Sequence, residues 1–185
     1  MTDVDSDRPD LSGRAGSAAL RKLYHAHARD LHRYLARRLD PVVAEDVMAE
    51  TFLVAWEQRA RYDPARGSAR AWLFGIATNL SRRHARTEAN TLRAMAKDAG
   101  RAAVVEPEDT ASAARVDATR AARELAAGLA ALRPNERDVL LLVAWAGLRP
   151  GEISAALDMN VHTVRTHLHR ARTKMRGRLN QGEGA

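Results

Sequence analysis

The segment from Arg149 to Leu179 places the strongest constraint on the fold, because it carries two helix patterns separated by a short break. A short helix pattern covers Gly151 to Leu157, and a long one runs on from Val161. Asp158 stands at the tight break, where glycine is usual, and aspartate tolerates the left-handed backbone better than most residues. Apolar residues of the long helix recur at steps of four, three and four, in one narrow stripe: Val164, Leu168, Ala171 and Met175. The pattern predicts a helix-turn-helix.

The remaining surface of the second helix is basic, since no acidic residue lies between Val161 and Asn180. A helix that offers only cations and His or Thr side chains outward is suited to the DNA major groove, where arginine can bind guanine through two hydrogen bonds. A solvated basic helix is the alternative. The candidate groove-facing residues are His162, Arg165, Thr166, His169 and Arg170.

The charge of the whole chain points in the same direction. It has 30 Lys and Arg against 23 Asp and Glu, a formal net charge of +7, which favours a polyanionic partner. The basic excess falls in two blocks, residues 18–95 and 122–180, with a slightly acidic spacer between them. Two nucleic-acid-facing modules explain this distribution, although an arginine-rich soluble surface would also produce a basic chain.

Several function classes are excluded by what the sequence lacks. There is no cysteine, and no Gly-rich phosphate loop, GxSxG or HExxH motif appears. The histidines at positions 25, 27 and 32 lack the three- or four-residue steps that would place two metal ligands together. We therefore predict no catalytic residue, metal site, cofactor or small-molecule substrate, and a protein that is not an enzyme.

The apolar segments are too short for a membrane protein. The longest apolar run, Val139 to Leu148, cannot cross a bilayer, and Met1 to Gly16 has no hydrophobic core of a secretory signal. The sequence therefore predicts a cytoplasmic protein without a membrane partner.

Helical periodicity dominates the chain, and no segment alternates with period two for long enough to predict a strand. We expect an all-α fold of two small helical domains joined by a flexible linker, the C-terminal one containing the helix-turn-helix. The predicted boundaries are a disordered tail over 1–17, a first domain over 18–97, a linker over 98–115, a second domain over 116–180 and a tail over 181–185.

The first domain carries side chains suited to an unpaired DNA strand. Its third predicted helix, about Ala69 to Ala85, has an aromatic residue in its first turn and amide and guanidinium groups near its end. Such a set can stack on an unpaired base and neutralise phosphate. Trp72 is equally compatible with a simple core position. The candidates are Trp72, Asn79, Arg82, Arg83 and Arg86.

The second predicted helix presents an acidic stripe opposite its apolar face, formed by Asp46, Glu50, Leu53 and Glu57. An acidic stripe on an otherwise basic module is a poor DNA surface and a plausible surface for docking another protein. A merely solvated helix face is the alternative.

Three blocks of the sequence resemble the extracytoplasmic-function (ECF) sigma factors of bacterial RNA polymerase. They are AEDVMAETFLVAWEQRARYDP, SARAWLFGIATNLSRRHAR and LRPNERDVLLLVAWAGLRPGEISAALDMNVHTVRTHLHRARTKM, in the family's order. The resemblance covers roughly residues 20–90 and 125–180. It implies a first region that docks on the clamp helices of the polymerase largest subunit and melts and reads the downstream promoter element. It also implies a second region that reads the upstream element in the major groove.

The same resemblance implies residue roles and partners. Asp46, Glu50 and Leu53 match the polymerase-docking face. Asn79, Arg82 and Arg83, with a following loop through about Arg93, match the downstream-element reader. Arg165, Thr166, His169 and Arg170 match the upstream-element reader. The implied partners are core RNA polymerase, promoter DNA and an anti-sigma factor.

Two other functions remain compatible with the residues. A stand-alone transcriptional regulator would use the helix-turn-helix as a dimer on a symmetric operator, with the N-terminal helices serving dimerisation or ligand sensing. A helical adaptor that never contacts DNA would leave both basic surfaces unused.

Overall fold

The computed structural model describes residues 7–11, 13, 15–98 and 124–182, with side chains up to residue 87 in the longer N-terminal stretch and up to residue 178 in the last. Within these residues the chain forms seven α-helices, one 3-10 turn and no strand, which confirms the predicted all-α fold. The elements are α1 (Gly16–Ala36), α2 (Pro41–Glu57), a 3-10 helix (Arg59–Arg61), α3 (Ala69–Asp98), α4 (124–130), α5 (Pro134–Ala144), α6 (Pro150–Leu157) and α7 (Val161–Gly182).

The first module consists of α1, α2 and α3, which pack on one another. Asp40 and Pro41 set the start of α2: the Asp40 carboxylate accepts a hydrogen bond from the Val42 backbone N–H at 3.0 Å, and Pro41 occupies the first helical position. Leu31, Leu35 and Leu73 fill the core without exposure to solvent. Burial of this apolar face, rather than helix propensity, holds the three helices together.

Part of the predicted disordered tail is ordered. Leu11 is 2% exposed, and the Asp7 carbonyl accepts a hydrogen bond at 2.7 Å from the N–H of Ala69 at the start of α3. Gly16 permits this path, because a Cβ there would lie 2.3 Å from the Leu11 carbonyl oxygen. Residues 7–11 thus pack on the first module, within the stretch 1–17 that was predicted to be a tail. Residues 99–115 of the predicted linker and 183–185 of the C-terminal tail lie outside the described residues.

The third helix is longer than predicted. It continues to Asp98 rather than ending near Ala85, so the loop expected after Arg83 and through about Arg93 is absent, and these residues are helical. No glycine or proline occurs between Ser81 and Asp98, and nothing in the sequence stops the helix there.

The second module is the predicted helix-turn-helix with α5 packed against α7. Asp158 takes φ +50° at the turn, the left-handed conformation expected for it, and Gly147 takes φ +66° after α5. Ile153 of α6 and Val164 of α7 are fully buried between the helices. The turn therefore fixes the direction in which α7 leaves α6.

The two modules also pack against each other, an arrangement that no pattern in the sequence predicts. The helix α3 of the first module lies along α6 of the second, and buried residues of both modules form one continuous apolar cluster. Over the ranges that the structure describes, no helix is both long and apolar enough to span a membrane.

Candidate nucleic-acid interface

The outward face of α7 carries the predicted groove-facing residues. Val164 and Ala171 of its apolar stripe are fully buried and Leu168 and Met175 are each 8% exposed, as the periodicity predicts. On the opposite side four of the five candidates are exposed and one, Thr166, is half-buried. The Thr166 hydroxyl donates to the His162 carbonyl at 3.0 Å. The structure thus brings His162, Arg165, Thr166, His169 and Arg170 together along the N-terminal half of one helix.

Backbone capping holds α7 in place at its N-terminus. The Asn160 side-chain oxygen accepts from the His162 N–H at 2.8 Å, and the Ser154 hydroxyl donates to the Met159 carbonyl at 2.6 Å. These bonds satisfy backbone groups that a tight turn would otherwise leave unpaired. The signal for the cap was present in the sequence, since asparagine is a preferred residue just before a helix.

Two basic residues of α7 have structural partners: Arg178 donates to the Ala127 carbonyl at 3.3 Å, and Lys174 forms an ion pair with α5. The Lys174 ammonium lies 2.7 Å from the carboxylate of Glu136 on α5, a side chain only 1% exposed, which also accepts from the Arg133 N–H at 3.2 Å. The hydrogen bond from Lys174 lowers the pKa of Glu136, against the opposing effect of desolvation. Lys174 therefore anchors α7 to α5, and Glu136 is a residue that sequence reasoning missed.

The residues predicted to contact an unpaired DNA strand fall into two groups on α3. Trp72 lies near the start of the helix with its ring centroid 5.1 Å from that of Tyr62. The other four begin seven residues later, about 10 Å along the helix axis. Asn79, Arg83 and Arg86 are exposed and Arg82 is half-buried.

The region around Trp72 contains residues that sequence reasoning passed over. A small recess of about 50 Å³ is lined by both aromatic rings and by two arginines from the segment between α2 and α3, Arg61 and Arg66. The sequence signal for this recess was Tyr62, which lies between Arg61 and Arg66 in the chain.

Arg82 is held by the second module. Its Nε hydrogen-bonds to the carboxylate of Asp138, and its Nη2 donates to the side-chain oxygen of Asn135 at 2.9 Å. Asp138 was not singled out from the sequence, because an aspartate in the first half of a helix carries no sign of a partner more than fifty residues away.

The predicted docking residues lie on one side of α2. Asp46 is exposed, Leu53 is 57% exposed, and Glu50 is half-buried. Glu50 accepts a hydrogen bond from Arg83 on α3 and lies 3.4 Å from His84 Nε2. A residue predicted for docking and a residue predicted for DNA therefore pair with each other.

Two further apolar residues on α2 are exposed and were missed. Val42 is 69% exposed and Trp56 is 37% exposed, with the Arg59 guanidinium 4.0 Å from the Trp56 ring centroid. Their position beside Leu53 and Asp46 makes this face of α2 partly apolar. Exposed apolar side chains on a helix are typical of protein interaction surfaces.

Among the side chains that the structure describes, no group of three or more His, Asp or Glu is placed to hold a metal ion.

The comparisons with known proteins cover both modules. Residues 23–91 match the family model for Sigma-70 region 2, and residues 122–175 match that for Sigma-70, region 4. The chain is 32% identical over 170 residues to the ECF RNA polymerase sigma factor SigL of Mycobacterium tuberculosis, covering 87% of this chain and 90% of the relative. It is 33% identical over 151 residues to the probable RNA polymerase sigma factor RfaY of Xanthomonas campestris pv. campestris. That match covers 80% of this chain and 36% of the relative's length.

Solved structures are similar over most of the chain. CnrH, in a complex with the cytosolic domain of CnrY, matches with a TM-score of 0.65 at 26% identity, covering 98% of this chain and 99% of CnrH. The sigma factor RpoE of Bartonella quintana, in a complex with the anti-sigma factor NepR, matches with a TM-score of 0.59 at 16% identity, covering 86% and 96%. At 16% identity, the match to RpoE shows a similar fold only.

Proposed function

The chain belongs to the ECF sigma factors, which act in transcription initiation, and from this premise we propose that it binds core RNA polymerase and directs it to one class of promoters. The observation that carries the proposal is the outward face of α7. Four of its five candidate residues are exposed on a helix whose opposite stripe is buried. The protein has no chemistry of its own and works in the cytoplasm with the polymerase.

The upstream promoter element is read by α7 in the major groove. The N-terminal residues of a recognition helix contact base edges, and the five candidates occupy that half of α7. Arg165 and Arg170 supply guanidinium groups for guanine or phosphate, and Thr166 supplies a methyl and a hydroxyl group.

The downstream element is melted and read by the first module. The arginines of α3 neutralise phosphates while Trp72 and Asn79 hold unpaired bases by stacking and hydrogen bonding. Captured bases offset the unstacking of the duplex, which costs a few kcal/mol. Opening therefore needs no nucleotide hydrolysis.

Docking on the polymerase uses α2. Asp46 and Glu50 supply negative charge and Leu53 supplies an apolar contact, on a module that is otherwise basic. The expected site on the polymerase is the pair of clamp helices of the largest subunit. An anti-sigma factor is an expected second partner, since relatives of this fold include proteins solved with one.

Charge reversal tests the docking assignment. The Asp46→Lys variant and the double variant Asp46→Lys/Glu50→Lys should lose core binding in a pull-down with core polymerase of the same organism. Glu45→Lys is the matched control, because it makes the same charge change at the neighbouring exposed position of α2. Far-UV circular dichroism checks the fold. Full core affinity of the double variant would refute the docking face.

Run-off transcription tests the function itself. The holoenzyme should initiate at a set of genomic sites that core polymerase alone ignores, and the RNA 5′ ends define the promoter. Arg170→Ala should then weaken upstream-element recognition by about 1–3 kcal/mol. Arg176→Ala removes the same charge from an exposed position farther along α7 and should have a smaller effect. A dimer that binds a palindromic site and leaves core polymerase unbound would instead establish a stand-alone regulator.

A further inference from the structure

Residues 7–11, which we call the N-terminal strap, lie against the segment that connects α2 to α3. The Asp7 carbonyl accepts a hydrogen bond at 2.7 Å from Ala69, the first residue of α3, which is fully buried. The first N–H groups of a helix have no acceptor within the helix, so Asp7 satisfies a donor that would otherwise be buried unpaired. The Arg8 guanidinium donates at 3.0 Å to the carbonyl of Pro64. The strap thus holds the connecting segment in its middle and at its junction with α3.

The strap is itself anchored on the first module. Leu11 is buried and belongs to the apolar core of the protein. The Asp7 carboxylate lies 3.2 Å from Nε2 of His27 on α1. These two contacts fix both ends of the strap. It therefore forms a bridge between the helical core and the connecting segment.

The connecting segment carries the residues that surround Trp72. The Tyr62 ring packs on the Trp72 ring with 5.1 Å between their centroids, and Arg61 and Arg66 line the same recess. Burial raises the pKa of Tyr62 to about 12, and the charge of Asp7 on the strap contributes to this rise. The strap is therefore close to the recess as well as to the backbone on either side of it.

The strap has little of its own to offer to DNA. It carries two carboxylates, Asp7 and Asp10, against the single guanidinium of Arg8, and a phosphate backbone is repelled by such a balance of charge. The Arg8 guanidinium is bonded to the Pro64 carbonyl. The strap also precedes residues 23–91, the part of the chain that matches Sigma-70 region 2. Support of the connecting segment fits this chemistry better than direct contact with DNA.

From these observations we propose that the strap positions the connecting segment for the downstream promoter element. Leu11 and Arg8 are the positioning residues, and Arg61 and Arg66 beside Trp72 are the groups that they place. The proposal rests on the proposed function, because it concerns the same contact with DNA. A segment that samples several arrangements binds more weakly in proportion to the time it spends in the competent one. If that time falls to about one-tenth, binding weakens about tenfold.

Amide hydrogen exchange of the full chain measures the contact without DNA. Leu11→Ala removes the buried anchor and should speed exchange of the peptide covering residues 62–72 by about tenfold, because the Ala69 N–H loses its acceptor when the strap detaches. Arg8→Ala should speed it by about two- to tenfold, the range given by one lost hydrogen bond. Leu35→Ala is the matched control, since it truncates a fully buried leucine of α1. It should raise exchange evenly over the first module rather than at this peptide.

Permanganate reactivity of unpaired thymines gives the second readout, at promoters mapped by run-off transcription. Holoenzyme with Leu11→Ala should open the DNA about tenfold less than the unaltered holoenzyme at equal core occupancy. Leu11 is buried and cannot contact DNA, so its effect must pass through the strap. Arg8→Ala should also reduce opening, and Arg8→Lys should restore most of it, because an ammonium group can still donate to the Pro64 carbonyl. Binding of the upstream element through α7 should not change.

Unchanged exchange over residues 62–72 in both Leu11→Ala and Arg8→Ala would overturn the proposal. Faster exchange with normal opening would overturn the positioning role and leave the strap a structural element only. Reduced opening in Arg8→Ala but not in Leu11→Ala would mean that Arg8 binds DNA directly, and the proposal would be wrong. If the unaltered holoenzyme initiates at no promoter, the proposed function fails and the positioning role fails with it, whereas faster exchange in the variants would still establish the contact.

Discussion

The turn of the helix-turn-helix offers a prediction in which two effects of different size compete. Asp158→Gly removes the backbone strain of a residue with a side chain in the left-handed conformation, here at φ +50°. That conformation costs about 1–2 kcal/mol for an ordinary residue and less for aspartate. The substitution also removes the ion pair between Asp158 and Arg66. The Arg66 side chain is 67% exposed and the Asp158 side chain is 88% exposed. Such an exposed pair contributes about 0–1 kcal/mol. Glycine also lowers the free energy of unfolding by about 0.5–1 kcal/mol, because it increases the conformational entropy of the unfolded chain.

The backbone effect should therefore decide the order of a series at this position. We expect Asp158→Gly to be equal to or slightly more stable than the unaltered chain, and Asp158→Ala to be less stable by about 1 kcal/mol, because alanine keeps the strain and gains no local hydrogen bond. For a chain of this size that is a fall of roughly 2–4 °C in the midpoint of thermal unfolding, measurable by circular dichroism.

Arg66→Ala is the matched control, since it breaks the same ion pair without altering the turn. It should cost less than Asp158→Ala. If Arg66→Ala and Asp158→Ala lower the midpoint equally, and Asp158→Gly lowers it as well, then the ion pair rather than the backbone sets the stability of the turn and the reasoning fails.

Three further outcomes are expected. The stabilisation from Glu136 is present above its unfolded pKa of 4.5 and is lost as pH falls through its lowered folded pKa. Glu136→Gln should therefore destabilise by about 1 kcal/mol at neutral pH and by progressively less as pH falls below 4.5, in urea titrations across pH. Burial lowers the pKa of His27 below its usual 6.5 despite nearby Asp7, so the chain should lose stability as pH falls below 6.5. His27→Gln should remove that loss, and equal losses for the two proteins in thermal scans would contradict the prediction. Leu142→Ala, at a fully buried position, should cost about 2–5 kcal/mol in urea unfolding, and a cost under 1 kcal/mol would mean that the site collapses around the smaller side chain.

Local patterns in the sequence predicted most of the helices, but they did not predict the pairs formed by residues far apart in the chain. The stripe of α7 and the start of α2 at Asp40 follow from residues a few positions apart, so periodicity and capping rules suffice. The pairing of Arg38 and Arg82 with Asp138 joins residues far apart in the chain, and charge composition carries no information about which cation meets which anion. The burial of Leu11 was not predicted for a related reason, since a single apolar residue in a polar segment does not indicate burial.

The site residues show the same limit from the functional side. The sequence grouped Trp72 with Arg82 and Arg83 because they share a helix, whereas the fold divides them among different partners. It also separated docking residues from DNA residues, whereas Glu50 and Arg83 form a pair. The face of a helix on which a residue lies follows from periodicity, whereas the partner of its side chain depends on contacts between helices that periodicity does not describe.

These internal pairs have a consequence for the order of assembly under the proposed function. The Glu50 carboxylate is 29% exposed and its partner Arg83 is 65% exposed, so water screens the pair and a competing partner exchanges it at a cost of about 0–1 kcal/mol. A basic surface of the polymerase that takes Glu50 leaves Arg83 available for phosphate. The Asp138 pairs are buried and separate only when both guanidinium groups and the carboxylate regain water or new partners. Docking through α2 is thus the easier first step, and release of Arg82 is the costlier step that follows.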